Sequence, residues 1–336
     1  MSDLDVREIA SGLRFPEGPV AIPPDDEHPA GSVVLVELER GTLSRVDVAT
    51  GTIDVIAECG GAPNAAALGP DGAFYVCNNG GFFEWHDTGT HLIPGGTPES
   101  WTGGSIQRVD PATGAITTLY EACDGRPLAA PNDLVFDDAG GFWFTDHGVR
   151  PHERSDRPGV LYAKADGSFI TAAAFGTDAT NGIGLSPAGD RLYVAETHTG
   201  RLWEWSVEAP GVLGPRPLDP EATHDAAEVD ESTARGGAHL LYDAPEGHLY
   251  DSLAVDGDGW VCIATIGQGG VTAVSPDGTA HEHHPLDDFI VTNICFSAHT
   301  PTGDLDGERR TAYVTCSATG RLVALTWPRP GLELAH

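Results

Sequence analysis

The sequence predicts an all-β chain, a six-bladed β-propeller with four-stranded antiparallel blades. Three observations carry that expectation. One short template recurs six times: a polar residue, an apolar stretch, a turn, then a β-branched or aromatic run. The opening polar residues are Glu17, Asn64, Asn132, Asn181, Asp251 and Asn293, spaced by 47, 68, 49, 70 and 42 residues. Spacings of about 40–50, some lengthened by insertions, are the mark of propeller blades. No stretch sustains apolar residues at i, i+3, i+4 and i+7, so helices are not expected.

In blade one, Glu17 precedes Gly-Pro-Val-Ala-Ile and the second run is 32–37. In blade two, Asn64 precedes three alanines and a leucine, Pro70-Asp71-Gly72 turns the chain, and 73–77 follows. In blade three, Asn132 leads to the turn Asp138-Ala139-Gly140 and the aromatic run 142–145. In blade four, Asn181 leads through Ser186-Pro187-Ala188-Gly189 to 192–195. In blade five, Asp251 leads through Asp256-Gly257-Asp258-Gly259 to 260–264. In blade six, Asn293 precedes a longer loop and then 311–315. Third strands start at Gly41, Gly104, Gly159, Gly200, Gly270 and Gly320, while fourth strands are weaker, with 115–119 the clearest. Blade six lacks a fourth strand of its own, and Val6-Arg7-Glu8-Ile9 could supply it. That strand would close the ring and pair two otherwise open edges. Residues 1–336 are therefore read as one propeller domain. The single repeating template disfavours a pair of β-sandwiches.

Charge limits the partners. The chain carries 18 Lys+Arg against 50 Asp+Glu, a formal net charge of −32. Such a surface repels phosphate backbones and anionic membranes, so neither nucleic acid nor membrane is an expected partner. Lys164 is the only lysine, which points to genome or proteome composition rather than to a basic partner. No apolar run approaches the roughly 20 residues that span a bilayer, and the first residues carry no basic and apolar leader. A cytoplasmic monomer or homodimer is expected. The six cysteines form no CxxC pair and read as reduced thiols.

In an antiparallel meander the first strand begins where the second ends, and first strands line the channel. The six polar residues should therefore ring one mouth. The second-strand ends Asn78, Asn79, Asp146, His147 and Glu196 to His198 should join them. Any one of the six alone reads as a turn residue bonding its own backbone. Six at equivalent places make a site. Glu17 and Asp251 brought together repel unless a cation or proton intervenes. With the amide oxygens they make an all-oxygen set suited to Ca²⁺, Mg²⁺ or Mn²⁺ and open to Zn²⁺. His147 and His198 are placed to contact substrate or shuttle protons, a water-exposed turn histidine being the plain alternative. Residues 86–101 lengthen a loop on this face as a rim or a plain surface loop, with Phe83, Trp85 and Trp101 able to wall the pocket. The acidic insertion 208–238 should lie on the opposite face. His281-Glu282-His283-His284 falls late in blade five, away from the ring.

Four motifs carry a resemblance: Phe15-Pro16-Glu17-Gly18-Pro19, Pro131-Asn132-Asp133-Leu134, Asn181-Gly182-Ile183-Gly184-Leu185-Ser186-Pro187 and Asp251-Ser252-Leu253-Ala254-Val255-Asp256. Together they resemble the SMP-30/gluconolactonase/LRE family of six-bladed propellers, related to diisopropyl-fluorophosphatase-type phosphotriesterases. The resemblance implies one divalent metal ion held by Glu17, Asn132, Asn181 and Asp251. Ca²⁺ is the first expectation, with Zn²⁺, Mg²⁺, Mn²⁺ and Fe²⁺ as alternatives. It makes Asp251 the catalytic base or nucleophile. Asn132, Asn79, His147, His198 and Trp85 are the expected substrate contacts. Sugar-lactonase members often carry an Arg two residues before the third-blade Asn; here that residue is Ala130. The fifth-blade motif is Tyr250-Asp251-Ser252 rather than Pro-Asp-Gly. The implied activity is metal-dependent opening of an aldono- or other small lactone. A phosphotriesterase on the same ring and a non-enzymatic binding scaffold are the alternatives.

Overall fold

The computed structural model describes residues 5–149, 158–215, 237–297, 310–332 and 334. Strands form six antiparallel sheets arranged as the blades of a β-propeller, and no helix occurs among the described residues. Blade one is Pro16–Ile22, Ser32–Glu37, Thr42–Asp47 and Ile53–Glu58. Blade two is Pro63–Leu68, Phe74–Asn78, Ser105–Val109 and Ile116–Tyr120. Blade three is Pro131–Phe136, Gly141–Asp146, Gly159–Lys164 and Ile170–Phe175. Blade four is Thr180–Leu185, Arg191–Glu196 and the long Arg201–Ala209, which pairs with both Val212–Gly214 and His239–Asp243. Blade five is Leu249–Val255, Val261–Ile266, Val271–Val274 and His281–His284. Blade six is Val291–Phe296, Thr311–Cys316, Arg321–Thr326 and the early strand Val6–Ser11. Ring closure is as expected: Val6 lies opposite Leu325 and Ser11 opposite Arg321.

Local chemistry explains the hairpins. Turn aspartates cap their own backbone. Asp137 accepts the amides of Ala139 and Gly141 at 2.9 and 3.1 Å, and Asp256 those of Asp258 and Trp260 at 3.1 and 2.9 Å. The second and third strands are β-branched and aromatic because both their faces are covered by neighbouring blades. Trp143, Trp203, Trp205 and Trp327 are fully buried between blades.

Each first strand packs against the first strands of both neighbouring blades, closing a ring around the channel. The approach is close enough to demand glycine. A Cβ on Gly18 would sit 2.5 Å from Ala65 Cα, and one on Gly182 would sit 2.6 Å from the Leu253 nitrogen.

Every first strand also carries a register break near its start. The pairing skips Asn64 in blade two, Asn132-Asp133 in blade three, Asn181-Gly182 in blade four, Asp251-Ser252 in blade five and Thr292 in blade six. In blade one the break follows Glu17 directly. A bulge frees a side chain from the pleat and re-aims it. Here it re-aims one residue per blade toward the axis.

Part of the 208–238 insertion and the blade-six loop at 298–309 lie outside the described residues. No helix among the described residues is long and apolar enough to cross a membrane.

Candidate metal centre and active site

A cavity of about 360 Å³ opens at one mouth of the channel. Its floor is Glu17, Asn64, Asn132, Asn181, Asp251 and Thr292, one residue from each blade. An apolar cavity of about 270 Å³ occupies the other end and is lined by the next residues along, including Gly18, Asp133 and Asn293. The floor thus separates two cavities. Asn293, expected in the ring, lies on the far side. Thr292 takes its place because the blade-six bulge falls one residue earlier.

In four blades a second-strand end clasps the chain just ahead of the floor residue. In blade three, Asp146 accepts the amides of Ala129 and Ala130, both at 2.8 Å, fixing the chain just ahead of Asn132. Glu37 accepts the Arg14 amide at 2.8 Å, Asn78 the Ala62 amide at 3.2 Å, and Glu196 the Asp178 amide at 2.9 Å. Four blades use the same clasp. Asp146 and Glu196 sit at the site end of their strands, yet Asp146 spends its oxygens on backbone amides and Glu196 spends its own on the Asp178 amide and the Thr199 hydroxyl.

The floor gathers buried carboxyls whose charge a cation or a proton would neutralise. Glu17 is 2% exposed and Asp251 8%. Glu17 Oε2 accepts Asn293 Nδ2 at 2.8 Å and the Gly18 amide. Among the described residues its Oε1 has no hydrogen-bond partner, nor does Asn132 Oδ1. Burial first, then the charges of Asp251 and Asp133, push the Glu17 carboxyl well above the ordinary range. Burial pushes Asp251 up to about 7 against a hydrogen bond from Asn181. Asp133 is likewise raised to about 7 by burial, although backbone amides of Leu134 and Ile183 oppose the shift. Sequence reasoning missed Asp133. Its position inside the Asn132 motif, beside a residue expected at the axis, was the available signal.

Buried oxygens without partners are rare because each costs roughly 1–3 kcal/mol. One on Glu17 itself and one on Asn132, together with the Asp251 carboxyl, fit a hard divalent cation. Glu17, Asn132, Asn181 and Asp251 are the residues that could hold it. Among the described residues no cluster of three or more His, Cys, Asp or Glu side chains has metal-holding geometry, so the amide oxygens are needed to complete the set.

The remaining expected contacts divide. His147 and His198 line the cavity with ring centroids 5.9 Å apart. Asn79 also lines it, but its Oδ1 accepts the Phe82 amide at 3.0 Å and its Nδ2 donates to Asn64 at 3.2 Å. Trp85 is not part of the lining; it packs behind Phe15 and Phe83, at 4.9 and 6.0 Å. The 86–101 segment contributes Pro94 to Thr97 to the rim through a small hairpin, Trp85–Asp87 against Leu92–Pro94. The His281–His284 strand lies outside this lining, with His283 bonded to Thr272 and Gly269.

A family model for the SMP-30/Gluconolactonase/LRE-like region matches residues 15–318. The chain belongs to that family. It is 25% identical over 224 residues to a gluconolactonase from Zymomonas mobilis, covering 64% of this chain and 52% of that one. It is 30% identical over 147 residues to the lactonase drp35 of Staphylococcus haemolyticus, covering 44% of this chain and 39% of that one. The matches therefore span about two fifths to one half of these relatives' length. The fold is shared with a gluconolactonase from Xanthomonas campestris, at TM-score 0.68 and 21% identity, over 97% of this chain and 91% of that one. It is also shared with a calcium-binding protein, regucalcin, from Agrobacterium tumefaciens, at TM-score 0.66 and 17% identity, over 99% and 98% of the two chains.

Proposed function

We propose that this family member is a metal-dependent lactonase that opens a small lactone at the polar mouth of its channel. The observation carrying the proposal is the pair of unpartnered buried oxygens, Glu17 Oε1 and Asn132 Oδ1, beside Asp251 on a cavity floor. The names of the relatives support the choice of reaction. Glu17, Asn132, Asn181 and Asp251 would hold the ion, with Ca²⁺ the first to test. Bound there, it would supply Lewis acidity toward the ring carbonyl.

The chain's own residues account for the remaining steps. Asp251 orients a water against the carbonyl carbon and takes its proton as attack proceeds. The ring C–O bond then breaks, and the leaving alkoxide takes a proton back from Asp251 or from the His147–His198 edge. The blade-three clasp keeps Asn132 fixed, which limits reorganisation around it during the reaction. A pH-indicator screen of small lactones on Ca²⁺-loaded protein tests the reading. Acid release from at least one lactone, abolished by EDTA, is expected; no release from any would sink the proposal. The apolar side of the same cavity favours a neutral phosphotriester as the second reading. Hydrolysis of a phosphotriester with every lactone untouched would make it the first.

A further inference from the structure

The cavity above the floor has two unlike walls. Blades five, six, one and two are adjacent around the ring. Their contribution above the floor includes Ile266, Ile290, Phe15, Leu38, Phe82 and Phe83. Blades three and four contribute Ala130, His147, Thr197 and His198. No Lys or Arg lines the cavity among the described residues. We propose that the substrate is a neutral lactone carrying an alkyl or aryl substituent, seated against the Phe83 wall, rather than a polyhydroxylated sugar lactone. This rests on the lactonase reading above and names its substrate class.

Three observations support it. First, the wall is continuous with a hydrophobic cluster, since Phe15, Leu38 and Ile290 pack there with Phe83 and Ile266. A ligand hydroxyl placed on it would give up water for no partner. Second, the polar side chains low on the blade two and six side are already used, Thr97 standing out at the rim. Asn79 and Asn64 bond each other, and Asn64 also donates to Asn132 O at 3.2 Å. Thr292 Oγ1 shares bonds with Thr315, Ser317 and Pro16. Few groups remain there to receive sugar hydroxyls, and Ala130 offers none. Third, the wall is built in advance. The 85–94 hairpin behind it is strapped across blade one to blade six. Asp87 accepts Arg14 Nη1 at 2.9 Å, the Leu92 amide donates to Ala318 O at 2.8 Å, and His91 contacts Phe289 at 5.4 Å. Phe82 stacks edge-on to Phe83 and Trp101, at 4.7 and 5.9 Å. A fixed apolar wall gains affinity for apolar groups without an ordering cost.

The test compares three lactones with the same six-membered ring on the Ca²⁺-loaded protein: δ-valerolactone, δ-decalactone with its pentyl arm, and glucono-δ-lactone. Wild type should show kcat/KM for δ-decalactone about tenfold or more above that for glucono-δ-lactone. Phe83→Asn should erase about tenfold of that advantage through KM, and Phe83→Leu should restore most of it. Preference for glucono-δ-lactone, or a Phe83→Asn variant with an unchanged ratio, overturns the proposal. If none of the rings opens, the lactonase reading has failed and the wall is read by binding instead. Tryptophan fluorescence is then titrated with δ-valerolactam and its pentyl derivative. Tighter pentyl binding that Phe83→Asn abolishes supports the apolar subsite, and equal binding overturns it.

Discussion

Two carboxyls decide how the site behaves. Glu17 and Asp251 are buried together, and Asp133 adds a third negative charge. Replacing Glu17 by Gln should raise the melting temperature of the EDTA-treated protein, because an unfavourable buried charge is gone. The same change should abolish the stabilisation that Ca²⁺ gives the wild type. Calorimetry with and without Ca²⁺ checks both halves, and a variant still stabilised by Ca²⁺ would remove Glu17 from the ligand set. Asp251→Asn should leave the fold intact and cut turnover by about 10²–10⁴-fold if Asp251 moves the proton. pH gives an independent reading. Asp133 and Asp251 sit near 7 in the folded chain, above the roughly 4 of an unfolded Asp. Their stabilising contribution is therefore complete below about pH 4 and lost as pH rises through about 7. The melting temperature in EDTA should fall across that window, and Asp251→Asn should flatten the fall. A profile that rises with pH would contradict the assigned shifts.

At the scale of elements, the bulges and clasps turn six ordinary first strands into a floor. Asp146 accepts amides from Ala129, Ala130 and Gly148, the last at 3.0 Å. Asp146→Ala would strand these donors, so a loss of about 2–4 kcal/mol in urea unfolding is expected, with weaker Ca²⁺ binding because Asn132 loses its anchor. Full stability in that variant would show the clasp to be idle. The polar residue opening each blade could be read from the sequence because only a ring explains its repetition. The bulge position could not. Stretches such as Asn64-Ala65-Ala66-Ala67 or Asn181-Gly182-Ile183-Gly184 are covered on both faces and show no polar alternation to mark register. Asn293 was therefore read in place of Thr292. Asn79 and Trp85 are expected substrate contacts, but backbone amides claim the Asn79 oxygen and Trp85 packs behind Phe83, outside the lining. Those are matters of tertiary geometry.

For the whole molecule, the period of the repeats sufficed to give six blades, and the missing fourth strand of blade six predicted how the ring closes. Deleting Val6–Ser11 removes the partner of Arg321–Thr326 and exposes that strand's edge. Size-exclusion chromatography should then show self-association, and the melting temperature should drop. A monomer with unchanged melting would mean that closure adds nothing. The charge of −32 divides between a surface that carries most of it and a floor where Glu17, Asp251 and the neighbouring Asp133 are buried. That floor, one residue per blade, also shapes traffic through the protein. It turns an open tube into a blind alley, so on the proposed reaction substrate and product would share one doorway. On the proposed reaction the product would gain a negative charge where buried carboxylates sit, and its way out through this mouth would pass the aromatic wall. If the proposed lactone opening holds, departure of the hydroxy acid, rather than bond cleavage, becomes the natural place for the reaction to slow down.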